Sequence, residues 1–319
     1  MARLSRRALL AGGVASYAAA AGGFAPPARA QGLPTIHVGY QPNQFGAQAL
    51  YAQDQGFFTK AGVDADVQQF ALGSALATGV AVNQVNFGNV SVVTIALAHS
   101  KNIPFVLVAP GADFHSNRKA PSLLMAGNQS GINSAKDMNG KTVAAPGLAS
   151  MGEYGVRNWV DVNGGDSTTL KFVEMPFSQM APAFAAGRID AASVGEPYLS
   201  DVKKVAHPLG ETETSVASHF IVSAWFAMAP WVTQHADLVA RFGAAIRDTD
   251  VWAAKNPNAC VDIMAQTFHV DPASIDRHEM ATFPPAITPA LIQPTINVVA
   301  RYAKFPAFPA EEIIYTPPR

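Results

Sequence analysis

Few side chains in this sequence stand at spacings that suggest reaction chemistry. Gly147-Leu148-Ala149-Ser150-Met151-Gly152 resembles a nucleophile elbow, but one residue too many precedes Ser150. No histidine is spaced to serve that serine as a base. His278-Glu279 lacks the second histidine of a zinc-protease helix. The eight histidines are scattered, and Cys260 is the only cysteine, so no intramolecular disulfide and no cysteine-pair zinc site is available. There is no phosphate-binding loop and no dinucleotide fingerprint. No catalytic residue, cofactor or metal is expected from these patterns.

What remains is a set of turns between short β-rich runs and helical runs. They are Tyr40-Gln41-Pro42-Asn43-Gln44, Leu72-Gly73-Ser74, Gly88-Asn89-Val90-Ser91 and Gly147 to Met151. In open parallel sheets, ligands sit beyond the carboxyl ends of the strands. Such turns also expose backbone N–H groups at helix starts, which suit acceptor or negative ligand atoms. Tyr40, Asn43, Gln44, Ser74, Asn89, Ser150 and Met151 are therefore candidate ligand contacts. Each has a plainer alternative as turn former, helix cap or core residue. None of the four turns carries Arg or Lys. Tyr40, Phe114, Phe177, Tyr198 and Trp225 offer aromatic walls, and Phe114 joins the candidates. A neutral or mixed ligand thus fits better than a bare oxyanion.

The elements that must position these turns alternate β and α, which predicts parallel βαβ units. Strands are predicted at 36–40, 65–70, 85–88 and 104–109, then at 122–126, 142–145, 170–173 and 191–194, with one long strand over 219–227. Helices are predicted at 47–55, 75–82, 90–99, 132–138 with Ser134 as cap, 151–162, 180–186 and 237–255, and one from Pro289. The fold class is α/β with two lobes, each a mainly parallel sheet flanked by helices. Lobe one takes residues 31–119 and 221–319, and lobe two is inserted as 120–220.

The first thirty residues resemble an export signal. Arg6-Arg7 precede Leu9, an Ala/Gly-rich run follows, and Ala28-Arg29-Ala30 forms a small-x-small cleavage site. The paired arginines favour the Tat route. Cleavage there removes four arginines and no acid, leaving 18 Lys+Arg against 23 Asp+Glu, a net charge of −5. An acidic mature chain argues against nucleic acid as a partner. Charged residues make up 14% of the sequence and apolar ones 49%, enough for a sizeable core.

In the second lobe, residues 134–147 read SAKDMNGKTVAAPG. Glu174-Met175-Pro176-Phe177-Ser178-Gln179, the run Ala185-Ala186-Gly187-Arg188-Ile189-Asp190, and Glu196-Pro197-Tyr198 follow. In the first lobe stand Val38-Gly39-Tyr40, Gln55-Gly56-Phe57-Phe58 and Ala61-Gly62-Val63-Asp64. This ordered set resembles the solute-binding proteins of nitrate, sulfonate, taurine and thiamine-precursor ABC importers, over nearly the whole chain beyond residue 30. Where that family often has an acid before the glycine of the third turn, this chain has Asn86. The resemblance implies a periplasmic-binding-protein fold of type II-like form, closing about a hinge on a small sulfonate-like or pyrimidine-like molecule. It implies Glu196 at the cleft edge and a permease partner in the inner membrane. A periplasmic monomer without enzymatic activity is expected. The competing expectations are a thiamine-pyrimidine-synthase-like enzyme on the same scaffold, or a sensory binding subunit.

Overall fold

A computed structural model describes residues 32–317; the export signal expected over 1–30 lies outside them. Twelve strands follow in chain order: β1 (Thr35–Tyr40), β2 (Asp64–Gln69), β3 (Phe87–Ser91), β4 (Phe105–Pro110), β5 (Asp113–His115), β6 (Ser122–Gly127), β7 (Thr142–Ala145), β8 (Lys171–Glu174), β9 (Ala191–Gly195), β10 (Ala206–Gly210), β11 (His219–Ile221) and β12 (Ser223–Met228). They form two five-stranded sheets, β2-β1-β3-β12-β4 and β10-β6-β9-β7-β8, and a two-stranded ladder of β5 with β11.

The two sheets share one plan. In the first, β1 is parallel to β2 and β3, while β12 is antiparallel to both of its neighbours. In the second, β9, β7 and β8 are parallel, and β6 is antiparallel to β9 and β10. Each sheet thus has four strands running one way and one reversed strand beside an edge. The reversed strands, β6 and β12, are those that follow directly on the β5 and β11 crossings. A chain arriving from the far side of a gap enters a sheet at its gap-facing end, so it must run against strands whose carboxyl ends point there. The sheets are therefore mixed, as the α/β architecture with an inserted second sheet requires.

Both sheets are covered on both faces, which is why inner strands such as β6, β9 and β12 read as apolar runs rather than alternating ones. Along β12, Ala224 and Phe226 pack into one cluster and Trp225 and Ala227 into another on the opposite face. Along β6, Leu124 and Ala126 face one cluster and Met125 another. The helices Gln48–Asp54 and Ala236–Ala253 back the β1 side, and Val92–Ser100 and Pro289–Ala303 cover the other. Among the described residues no helix is long and apolar enough to cross a membrane.

Three local expectations are corrected. The run 219–227 is two strands, because the chain leaves the β5 ladder at Ile221 and joins the first sheet at Ser223. The third strand ends three residues later than expected from the Gly88-Asn89 turn signal: Asn89, Val90 and Ser91 pair with β12, and Ser91 caps the next helix by accepting from Val93 N–H at 3.3 Å. The segment 132–138 is only a 3-10 turn at Ala135–Met138, and Ser134 donates to the Asp137 side chain instead of capping backbone.

Candidate functional site

The carboxyl ends of β1, β3, β7 and β8 and the starts of β6 and β12 converge on one cavity of about 90 Å³. By the same measure an ordered water needs ~10–15 Å³, so the space takes a small organic molecule. The first sheet contributes Gln41, Asn43, Ser74, Asn89, Ser91 and Ser223; the second contributes Ser122, Ser150, Met151, Glu174, Ser193 and Glu213.

The start of a helix lies behind each main wall. Met151–Val162 is twelve residues long with Ser150 as its first non-helical residue, and Val92–Ser100 is capped by Ser91. A helix start carries roughly half a positive charge from its aligned peptide groups. Three hydrogen bonds join the two walls. Ser74 Oγ donates to Glu174 Oε1 at 2.9 Å, Met151 N donates to Ser91 Oγ at 3.1 Å, and Thr94 Oγ1 donates to Ala149 O at 2.5 Å.

Two groups on the walls are electrostatically exposed to a guest. Asn89 is 2% exposed and its Nδ2 has no hydrogen-bond partner among the described residues. A buried unpaired donor costs about 1–3 kcal/mol, so this amide is set to gain from an acceptor. Glu213 is buried beside Ser122 and Thr212, whose hydroxyls both donate to its carboxyl. Burial pushes its carboxyl above the usual range, against the lowering effect of the Ser122 hydroxyl. With Glu174 it makes two carboxyls in the wall, and among the described residues no Lys, Arg or His lines the cavity.

Of the nine residues expected to contact ligand, Asn43, Ser74, Asn89, Ser150 and Met151 line the cavity. The other four do not. Tyr40 points into the cluster with Leu50 and Phe242, and its hydroxyl donates to Gln69 at 3.2 Å. Phe114 is fully buried against Phe220, ring centres 5.7 Å apart. Gln44 is fully buried as a tie: Nε2 donates to Pro121 O, Oε1 accepts from Ala281 N, and its own N–H donates to Glu196 O. Glu196 is buried too, and its Oε1 accepts from Asp276 N at 3.3 Å.

Of the aromatic walls suggested by sequence, Phe177 is in place, while Trp225 is core and donates to Gln48 at 2.8 Å. Sequence reasoning missed Phe45, Ser91, Ser122, Ser193 and Glu213. Ser193 had a readable signal, as the one polar residue in the apolar run Ala191–Val194. Glu213 had none, since Glu211-Thr212-Glu213-Thr214 resembles a solvated loop.

Comparison with known proteins adds relationship to this geometry. Residues 43–260 match the family model described as NMT1/THI5 like. A candidate binding protein of Brucella abortus (strain 2308) is 27% identical over 247 residues, covering 76% of this chain and 74% of that protein. A candidate aliphatic-sulfonates-binding protein of Bacillus subtilis (strain 168) is 25% identical over 248 residues, with 75% and 71% covered. In fold, the chain matches the alkanesulfonate-binding protein SsuA of Xanthomonas axonopodis pv. citri, solved with MOPS, at a TM-score of 0.74. That likeness spans 88% of this chain and 98% of that one, at 14% identity.

Proposed function

Because the chain belongs to the NMT1/THI5-like family, we propose that it is the solute-binding component of an ABC importer, exported to the periplasm and acting as a monomer that a permease receives. The ligand is a small bifunctional molecule. One end accepts hydrogen bonds, and the other carries an amine or ring-amino group.

The observation behind this reading is the composition of the cavity wall: two carboxyls, one unpaired amide donor, helix starts, and no cation. An anion alone would gain from the helix starts and from Asn89 but would meet Glu213 and Glu174 without a countercharge. A hydrogen bond to a charged group is worth ~1.5–3 kcal/mol, so an amine facing Glu213 turns that conflict into a gain. Amino-sulfonates of the taurine type and aminopyrimidines have this pattern; nitrate and simple alkanesulfonates do not. The three bonds between the walls form only when the halves meet, so a guest that touches both walls favours the closed form by its differential affinity for it.

Binding without turnover is supported by the relatives named for binding and by the Ser150 hydroxyl, which donates to Gly147 O at 2.6 Å rather than to a base. Thermal-shift screening tests the reading. Taurine and aminopyrimidines should stabilise the protein, by ~2.7 kcal/mol at a hundredfold excess over Kd. Asn89→Ala and Glu213→Gln should each weaken the best ligand at least tenfold. A panel in which only amine-free anions shift the melting temperature refutes the amine assignment. Chemical conversion of a bound compound refutes the binding role.

A further inference from the structure

The two segments that carry the chain between the sheets pair with each other as β5 and β11. Side chains alternate faces along a strand, so Asp113 and His115 share a face. His219 is the cross-strand partner of His115 and projects on that same face. The result is a cluster that no local motif announces, since His219 and Asp113 are 106 residues apart. His115 Nε2 lies 3.3 Å and His219 Nε2 3.1 Å from one oxygen, Asp113 Oδ2. The three donor atoms all fall within 4.8 Å of one another, and the two rings stack with centres 3.5 Å apart.

The nitrogen–oxygen distances suit a shared ion, which the two imidazoles would reach by splaying apart from their stack. Zinc–nitrogen and zinc–oxygen bonds of ~2.0–2.2 Å in a tetrahedron put neighbouring ligand atoms about 3.4 Å apart. Both nitrogen–oxygen separations are already close to that edge. The carboxylate is also held as an outer shell would hold it. Asp113 is 4% exposed, its Oδ1 accepts from Thr282 Oγ1 at 2.6 Å, and its N–H donates to Thr282 O. That contact leaves Oδ2 to ligate and fixes its direction, the usual service of a second-shell donor. The histidine side chains are about one third exposed, 34% and 36%, so an ion can enter and a fourth position is open to water. Two imidazoles and one carboxylate match zinc and its neighbours rather than magnesium or calcium.

We propose that Asp113, His115 and His219 form a binding site for a divalent ion of the zinc class. The ion staples the two connections between the sheets and is separate from the cleft ligand, so the site stands whether or not the importer reading does. Calorimetric titration of the purified chain with Zn²⁺ should show one saturable equivalent. His115→Ala and His219→Ala should each weaken binding at least tenfold, whereas His207→Ala on β10 should leave it unchanged. Cobalt added to the unaltered chain should give the intense visible bands of a low-coordinate nitrogen–oxygen site, which tests the geometry even where a variant folds poorly. Binding that never saturates, undiminished affinity in both histidine variants, or a cobalt spectrum no stronger than that of the aqueous ion overturns the assignment.

Discussion

Glu196→Gln separates a structural carboxyl from a ligand-binding one. The residue is fully buried, its Oε1 takes the Asp276 N–H, and its Oε2 has no partner among the described residues. Burial raises its pKa from 4.5 to about 7, opposed by the Asp276 N–H and helped by the nearby Glu279 carboxylate. The folded chain therefore keeps a proton up to about pH 7 that the unfolded chain releases near 4.5. Between those values the native state binds more protons, so stability falls as pH rises. At ~1.36 kcal/mol per pH unit, that interval amounts to about 3 kcal/mol, absent below pH 4.5 and complete above pH 7.

Glutamine keeps the shape and the acceptor for Asp276 but cannot ionise. Urea unfolding at pH 5, 6, 7 and 8 should therefore show the variant gaining on the wild type with each step, to about 3 kcal/mol at pH 8. Ligand affinity should stay within about twofold, because Glu196 is outside the cavity wall. A stability difference that does not change with pH refutes the burial argument. A loss of affinity beside a flat profile would place this carboxyl on the ligand after all.

Other positions test the same structure. Asp250 is buried, its Oδ2 has no partner among the described residues, and burial raises its pKa from 3.8 to about 8, against the Gln48 hydrogen bond and with help from Asp113. Asp250→Asn should gain roughly 3 kcal/mol on the wild type between pH 5 and pH 7, by the same sign, read from urea midpoints. A Cβ on Gly111 would sit 2.5 Å from the Ser223 backbone oxygen and 2.7 Å from Asn89 Nδ2. Gly111→Ala should therefore cost about 1–3 kcal/mol and weaken ligand binding, measured by thermal unfolding and calorimetry. Ser74→Ala removes one bond between the walls; it should leave the ligand-free melting temperature unchanged and weaken the ligand by about fivefold, since one net hydrogen bond is worth ~1 kcal/mol.

Much of the fold was legible because local patterns carried it. The strand Thr142–Ala145 and the helix Met151–Val162 stand where the apolar period and the Asn163-Gly164 stop put them. The cleft was legible through direction alone: βαβ units place every turn after a strand at one end of the sheet. What the sequence does not encode locally is the face a side chain takes at that end. Asn43 and Asn89 line the cavity, yet Tyr40, from the same first turn, packs into the core with Ile36 and Val38 because it keeps their parity. Phe114 follows the same rule on β5: its neighbours in sequence, Asp113 and His115, take the polar face, so its own ring goes to the core beside Phe220.

Partnership across long separations was invisible for a related reason. Ser122 and Ser223 reach the cavity because β6 and β12 enter their sheets from the gap, and Glu213 because its loop packs against Ser122. None of these facts follows from composition or spacing. Strand direction predicts where a guest can sit, while parity and the two crossings decide which residues meet it. A single-residue slip in β3 would turn the Asn89 amide to the opposite face of the sheet, into the cluster that holds Val90 and Ala224. The pairing of Asn89 with Trp225 therefore fixes the binding chemistry as well as the sheet, because it holds the unpaired amide on the Phe87 and Trp225 face of β3, at the end of the strand that meets the cavity.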